Sequence, residues 1–208
     1  MIEEIKKILN HEANAILNIP VNYSYEKAVN LIYQHVHELH GKVVASGMGK
    51  AGQIALNIAT TLSSTGTPAV FMHPAEAQHG DLGMIQSNDV LLLISNSGKT
   101  REIVELIGLV RNLYAHIPYI LITSNPETEL AQMANVLLPT GNPKEVCILG
   151  LTPTTSTTVM TVMGDILVVL LMKKINFTHE DYAKRHHGGY LGHKSRLLVE
   201  SKNNPKEL

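Results

Sequence analysis

Asp89-Val90-Leu91-Leu92-Leu93-Ile94-Ser95-Asn96-Ser97-Gly98-Lys99-Thr100 sets an unbroken apolar run, Val90 to Ile94, directly against a turn of hydroxyls and one glycine. A strand with one wet face alternates apolar and polar residues, so an unbroken run predicts a strand buried on both faces. Four other runs share this character: Lys42–Ser46, Pro68–Met72, Pro118–Thr123 and Asn135–Thr140. Apolar residues recur at helical spacing over Met48–Ser64, Thr100–Tyr114, Pro126–Met133 and Thr154–Lys174, while Ile2–Leu17 and Tyr25–Leu39 precede the first strand. Strands alternating with helices in this way predict an α/β fold, with a five-stranded parallel sheet flanked by helices on both faces as a three-layer sandwich. No linker, low-complexity block or internal repeat divides the chain, so residues 1–200 are expected to form one domain and 201–208 a flexible tail.

The remaining composition excludes several classes of function. Seventeen Lys and Arg against 18 Asp and Glu leave a formal net charge of −1, with no excess to draw the chain to nucleic acid or to an anionic membrane. A single cysteine, Cys147, rules out an internal disulfide and any thiolate metal cluster, which fits a reducing cytoplasm. The longest unbroken apolar run, Ile166 to Met172, falls well short of the roughly 20 residues a bilayer requires, so no membrane span is expected. The acidic, amphipathic start, Met1-Ile2-Glu3-Glu4, is unlike an export signal. Of the 11 histidines, most, such as His35, His37 and His40, read as a solvated helix face.

Loops that follow the strands of a parallel sheet gather at one edge, where ligands bind. Here they are Gly47–Lys50, His73–His79, Ser95–Thr100, Ser124–Pro126 and Gly141–Gly150. Gly47-Met48-Gly49-Lys50-Ala51-Gly52 matches a dinucleotide fingerprint, but the second strand ends Phe71-Met72-His73-Pro74, without the acidic residue that holds a ribose. A tight strand-to-helix turn accounts for the same glycines. Ser95, Ser97 and Thr100, with Gly98 and the free N–H groups of the next helix, suit one phosphate dianion, although a plain N-cap would use similar residues.

Thr152-Pro153-Thr154-Thr155-Ser156-Thr157-Thr158 carries more hydroxyls than capping needs, so the surplus could line a polyhydroxylated ligand or a subunit seam. Lys50, His79, Glu102 and Glu145 are acid–base candidates in or beside these loops. Arg185-His186-His187-Gly188-Gly189-Tyr190-Leu191-Gly192, outside the strand–helix alternation, could bring a proton donor to a site or form a solvated turn. His73 and His79 flank Glu76 at no spacing of a closed zinc site, so incidental or inhibitory metal is expected ahead of catalytic metal.

Together, Ser46-Gly47-Met48-Gly49-Lys50, Ser64-Thr65-Gly66-Thr67-Pro68, His73-Pro74-Ala75-Glu76-Ala77-Gln78-His79-Gly80-Asp81-Leu82-Gly83-Met84, Ser95-Asn96-Ser97-Gly98 and Leu149-Gly150-Leu151-Thr152-Pro153-Thr154 resemble the sugar isomerase (SIS) domain of D-arabinose-5-phosphate isomerases. The likeness runs from about residue 5 to 195. The resemblance implies a flavodoxin/Rossmann-like sheet, a homotetramer, and interconversion of D-ribulose 5-phosphate and D-arabinose 5-phosphate, which feeds synthesis of the octulosonate Kdo for lipopolysaccharide. Its catalytic set falls on Lys50, Glu102, Glu145 and His186. Gly66, Thr67, His73 and His79 match substrate contacts, and His73 also matches a position where zinc can bind as an inhibitor, with no cofactor required. Two positions depart from the pattern: Lys99 stands where the family has Glu, and His187 where it has Pro. Many relatives continue into a pair of CBS domains, whereas this chain ends at Leu208, so regulation through that module is not expected.

On this basis Glu145 or His186 is expected to move the proton between C1 and C2. Ser46, Gly47, Ser95, Ser97 and Thr100 would hold the phosphate, and Lys50 would stabilise oxyanion charge. Feedback, if any, is expected at the sugar site or a subunit seam, with nucleotide-activated Kdo as its ligand. Two alternatives stay open: a non-catalytic sugar-phosphate-binding regulator, and an SIS isomerase of another sugar phosphate. Against the first, neither N-terminal helix is basic enough to form a DNA-binding module.

Overall fold

A computed structural model describes residues 1–203. Its centre is a parallel sheet of β1 (Val43–Gly47), β2 (Ala69–Phe71), β3 (Val90–Ile94), β4 (Tyr119–Thr123) and β5 (Val136–Pro139), in the order β2-β1-β3-β4-β5. Every residue of β1, β3 and β4 is buried, which is the physical reason their sequences run apolar without a break. Alternate residues serve separate cores. Val43, Ala45, Leu92, Ile94, Ile120 and Ile122 face one, and Val44, Leu91, Leu93, Tyr119 and Leu121 face the other.

The first core lies under α1 (Ile2–Leu17), α2 (Ser24–Tyr33), α3 (Gly49–Ser64) and α7 (Thr155–Lys174). The second lies under α4 (Pro74–Ala77), α5 (Arg101–Leu113) and α6 (Glu129–Gln132). Connections from β1 and β3, which are neighbours, therefore leave to opposite sides of the sheet. The crevice between their C-terminal ends is where an open parallel sheet binds its ligand.

By length and composition α7 could cross a membrane, which the count of unbroken apolar residues missed because Thr and Gly are interspersed in it. It packs instead as a core helix, burying Val159, Met160, Met163, Leu167, Val168 and Leu171 against the sheet and α3. Gly164 makes that approach feasible, since a Cβ there would collide with the Ile58 side chain. At 1.5 Å per residue α7 is about 30 Å long, enough to run from one edge of the sheet to the other.

Several expectations are corrected. The helix expected to run to Leu39 turns π-helical over Gln34–Glu38, and the one expected over Pro126–Met133 shortens to Glu129–Gln132, capped by the Thr128 hydroxyl. His35 and His37 are not on a solvated face. His35 bonds the Asn88 carbonyl at 3.0 Å and His37 the Thr67 hydroxyl at 3.2 Å. The glycine-rich stretch near the C-terminus, expected outside the strand–helix alternation, joins two helices, α8 (His179–Arg185) and α9 (Gly189–Asn203), and its last four residues are the first turn of α9. Gly192 lets α9 abut the His186 carbonyl, so a residue that reads as a helix breaker is here a close contact. The expected tail begins inside α9, and residues 204–208 lie outside the described residues.

Candidate active site

The β3 strand delivers Ser95 to the ligand-binding edge, where its buried hydroxyl pairs with that of Thr100 at 2.8 Å. The turn closes through Gly98 N–H donating to the Ser95 carbonyl at 3.1 Å. Gly98 has φ +64°, and a Cβ there would meet the Thr128 hydroxyl at 2.6 Å, so both backbone and space demand glycine. Thr100 gives α5 no side-chain cap, which leaves the helix's first N–H groups to face the turn. Behind the turn, the Asn96 carbonyl accepts from Ser124 N–H at 3.0 Å and the Thr123 hydroxyl at 3.2 Å. The Ser124 hydroxyl in turn pairs with that of Thr140 at 2.6 Å. Three strand ends thus meet in one hydrogen-bonded network of hydroxyls around the turn, from which Ser97 and Lys99 project into solvent.

Two residues expected at the phosphate have other tasks. Ser46 is fully buried and donates its hydroxyl hydrogen to the Met72 carbonyl at 2.7 Å, tying β1 to the end of β2. Gly47 is buried where a Cβ would meet the Ala51 backbone at 2.8 Å, so it is glycine to let α3 start close to the strand. Lys50 stands exposed in the first turn of α3 and Glu102 half-buried in the first turn of α5. These are the helices that leave β1 and β3 on either side of the crevice. His73 follows β2 with its Nδ1 buried and unpartnered among the described residues, while His79 is exposed beyond α4. Among the described residues no three His, Cys, Asp or Glu side chains converge to hold a metal ion, so His73 lacks the companions of a closed zinc site.

Two of the hydroxyls in the threonine-rich stretch, those of Thr154 and Ser156, serve Glu145. Its Oε2 accepts hydrogen bonds from Thr154 N–H at 2.8 Å, the Thr154 hydroxyl at 3.0 Å and Ser156 N–H at 3.2 Å, and its Oε1 accepts from the Ser156 hydroxyl. Thr157, Thr158 and Thr161 only return their hydrogens to carbonyls one turn back. Thr154 and Ser156 therefore form a cradle for a carboxylate, a task beyond helix capping. Burial pushes the Glu145 carboxyl upward, but these hydrogen bonds together outweigh it and hold its pKa below the ordinary value.

A folded-state pKa below the unfolded one contributes stability that is present above the ordinary carboxylate range and is lost as pH falls through the lower folded value. Urea denaturation from roughly pH 5 to 3 should therefore show a steeper loss of stability for the wild type than for Glu145→Gln, which has no carboxylate to protonate.

The other expected site residues lie at the opposite edge of the sheet. Gly66 and Thr67 precede β2, with Gly66 at φ +95° pressed against the Phe177 ring and the buried Thr67 bonded to His37. Burial pushes the His37 pKa down, favouring the neutral ring. His186 follows α8, its ring stacked on Tyr182 at 3.7 Å between centroids, and Tyr182 meets Phe177 edge-on at 6.4 Å. His186 Nδ1 lies 3.0 Å from the Tyr182 carbonyl, which can only accept; Nδ1 therefore carries the hydrogen, and Nε2 is the nitrogen left free for a substrate. Within one chain Glu145 sits at the start of α7 and His186 beyond its end, separated by about the 30 Å length of that helix. The structure brings Lys50, His73, Ser95, Ser97, Thr100, Glu102 and Glu145 to one edge and leaves Gly66, Thr67 and His186 at the other.

Residues 38–170 match the description of the SIS domain. The chain belongs to the SIS domain family. Over 191 residues this SIS domain is 47% identical to arabinose 5-phosphate isomerase KdsD of Yersinia pestis, covering 92% of this chain and 56% of that protein. The chain spans about half the length of the curated relatives it matches. A solved structure of a candidate phosphosugar isomerase involved in capsule formation, from Bacteroides fragilis NCTC 9343, is 65% identical with a TM-score of 0.90, covering 91% of this SIS domain and 99% of that chain. An Escherichia coli CFT073 protein solved in complex with arabinose 5-phosphate is 37% identical with a TM-score of 0.80, covering 89% and 96% respectively.

Proposed function

We propose that this chain is an aldose–ketose isomerase that interconverts D-ribulose 5-phosphate and D-arabinose 5-phosphate by proton transfer through an enediol. The observation that carries this reading is Glu145, an ionised carboxylate at the ligand-binding edge. Its Oε2 is saturated by three donors, whereas Oε1 takes one and keeps an acceptor position open. The choice of sugar rests on the relatives named arabinose 5-phosphate isomerase and on the neighbour solved with arabinose 5-phosphate bound. On this reading the product leads to Kdo and lipopolysaccharide, and the reaction belongs in the cytoplasm.

The phosphate sits in the Ser95–Thr100 turn, held by the Ser97 and Thr100 hydroxyls and the first N–H groups of α5, with Lys99 adding positive charge. With the phosphate fixed, Glu145 Oε1 takes the proton from C2 of the open aldose and returns it to C1. Lys50 stabilises the enediolate oxygens, and His186 Nε2 carries the hydroxyl proton from O2 to O1. Only protons move, so the sequence of steps calls for no cofactor.

Glu145 and His186 cannot serve one sugar from within one chain, so each site takes His186 from a neighbouring copy in a homotetramer. Two exposed apolar patches support assembly: Ile148, Leu149 and Leu151 beside Glu145, and Ile2, Ile5 and Leu9 along the outer half of α1. Turnover assays on D-arabinose 5-phosphate and glucosamine 6-phosphate test the substrate assignment. Ketose should form from the first alone. Turnover of the second alone would make the chain another SIS isomerase, and binding without turnover would make it a sensor.

A further inference from the structure

Helix α1 lies outside the stretch that matches the family, and none of its sixteen residues is buried. Its two best-anchored polar side chains nevertheless reach across the whole chain to the same short segment. His11 Nε2 donates to the Lys144 carbonyl at 2.7 Å; the carbonyl can only accept, which fixes the direction. Glu12 Oε1 accepts the hydroxyl hydrogen of the fully buried Thr155 at 2.7 Å, and the same Thr155 oxygen accepts Val146 N–H at 3.1 Å. Lys144 and Val146 are the residues on either side of Glu145. Both peptide groups flanking this carboxylate are therefore gripped from α1, one directly and one through Thr155.

Packing does not explain Glu12. Its second oxygen, Oε2, is buried and finds no hydrogen-bond partner among the described residues, an arrangement that costs stability where an apolar side chain would cost none. What the carboxylate does supply is an acceptor that turns the Thr155 hydroxyl so that its lone pair meets Val146 N–H. Glu145 itself is held only at its carboxylate by Thr154 and Ser156, on a loop with few other anchors. Without a fixed backbone those side-chain bonds can form with Oε1 aimed in several directions.

We infer that His11 and Glu12, the latter through Thr155, are positioning residues that fix the backbone on both sides of Glu145 and so aim its open Oε1 at the substrate. This rests on the isomerase reading for its kinetic consequence, though not for the clamp itself. A misplacement of about 1 Å at a reacting group costs on the order of 100-fold in rate. Losing part of the clamp should therefore lower kcat about 10- to 100-fold while the phosphate turn keeps KM within about twofold.

The experiment measures kcat and KM for D-arabinose 5-phosphate in wild type, Glu12→Ala, His11→Ala, Thr155→Val and Thr155→Ser, the Glu12→Ala change also in a Glu145→Gln background. Alkylation of Cys147, the single thiol and part of the same loop, is followed in each protein with iodoacetamide. Glu12→Ala and Thr155→Val should each lower kcat and speed alkylation, their double variant should be no worse than either, and Thr155→Ser should restore both readouts. Glu12→Ala should add nothing once Glu145 is Gln, because it acts through Glu145. Wild-type kcat in Glu12→Ala, or an undiminished further loss in the Glu145→Gln background, would overturn the inference. If the wild type does not turn over this sugar, the isomerase reading fails separately, and the alkylation rates decide the clamp: faster in Glu12→Ala upholds it, unchanged refutes it.

Discussion

Glu145→Gln is expected to lower kcat roughly 10²- to 10⁴-fold, with KM for D-arabinose 5-phosphate changed little. Glutamine has the same shape, and its placement is dictated by the donors around it. Three of them, Thr154 N–H, the Thr154 hydroxyl and Ser156 N–H, converge on the Oε2 position, so the amide oxygen must sit there. The amide nitrogen then takes the Oε1 position, where the Ser156 hydroxyl can turn to accept from it. The cradle survives, the fold survives, and the one acceptor position left open on Oε1 becomes a donor. Because the phosphate turn is built on other strands, the loss should fall on kcat; steady-state kinetics by quantifying ketose separates the two parameters. A variant with normal kcat would remove Glu145 from the proton transfer.

Two inactive variants should regain activity when mixed. Glu145→Gln spoils one edge of the sheet and His186→Ala the other, and α7 holds those edges about 30 Å apart in one chain. If each site takes Glu145 from one copy and His186 from another, random reassembly at equal amounts leaves about a quarter of the sites with both groups intact. Co-refolding the two variants and assaying against each refolded alone measures this. Activity near a quarter of wild type is the expected result. Activity no higher than the parents would mean that one chain supplies both groups, which would require α8 and α9 to leave the position that Phe177 and Gly66 give them.

The sheet is legible because burial on both faces leaves its mark on every residue of Val90–Ile94 and Tyr119–Thr123, and the serine turn because its glycine and hydroxyls stand together in sequence between that buried strand and a helix. Ser46 misleads for a physical reason. A hydroxyl at a strand end looks the same whether it faces a ligand or, as here, the Met72 carbonyl of the neighbouring crossover. The clamp on Glu145 joins residues 143 positions apart, through Glu12 and Thr155, and no local pattern records such a pairing. The separation of Glu145 from His186 does leave a signal. A helix of 20 residues starts beside the Glu145 loop and carries the chain to the far edge, and His186 stays there because α8 packs Tyr182 on Phe177 rather than running back. Helix α9 is hidden because Gly188, Gly189 and Gly192 carry the composition of a turn, and only contact with the His186 backbone shows why Gly192 is tolerated in a helix.

Isomerisation through an enediol on Glu145 is best put to the test by proton NMR of D-arabinose 5-phosphate incubated with the EDTA-treated protein in D₂O. The expected product is ribulose 5-phosphate carrying solvent deuterium at C1, since a proton that rests on Glu145 during the enediol can exchange before it is returned. No ketose, with the sugar phosphate still raising the protein's Tm, would contradict the isomerase assignment and leave a site that binds without chemistry.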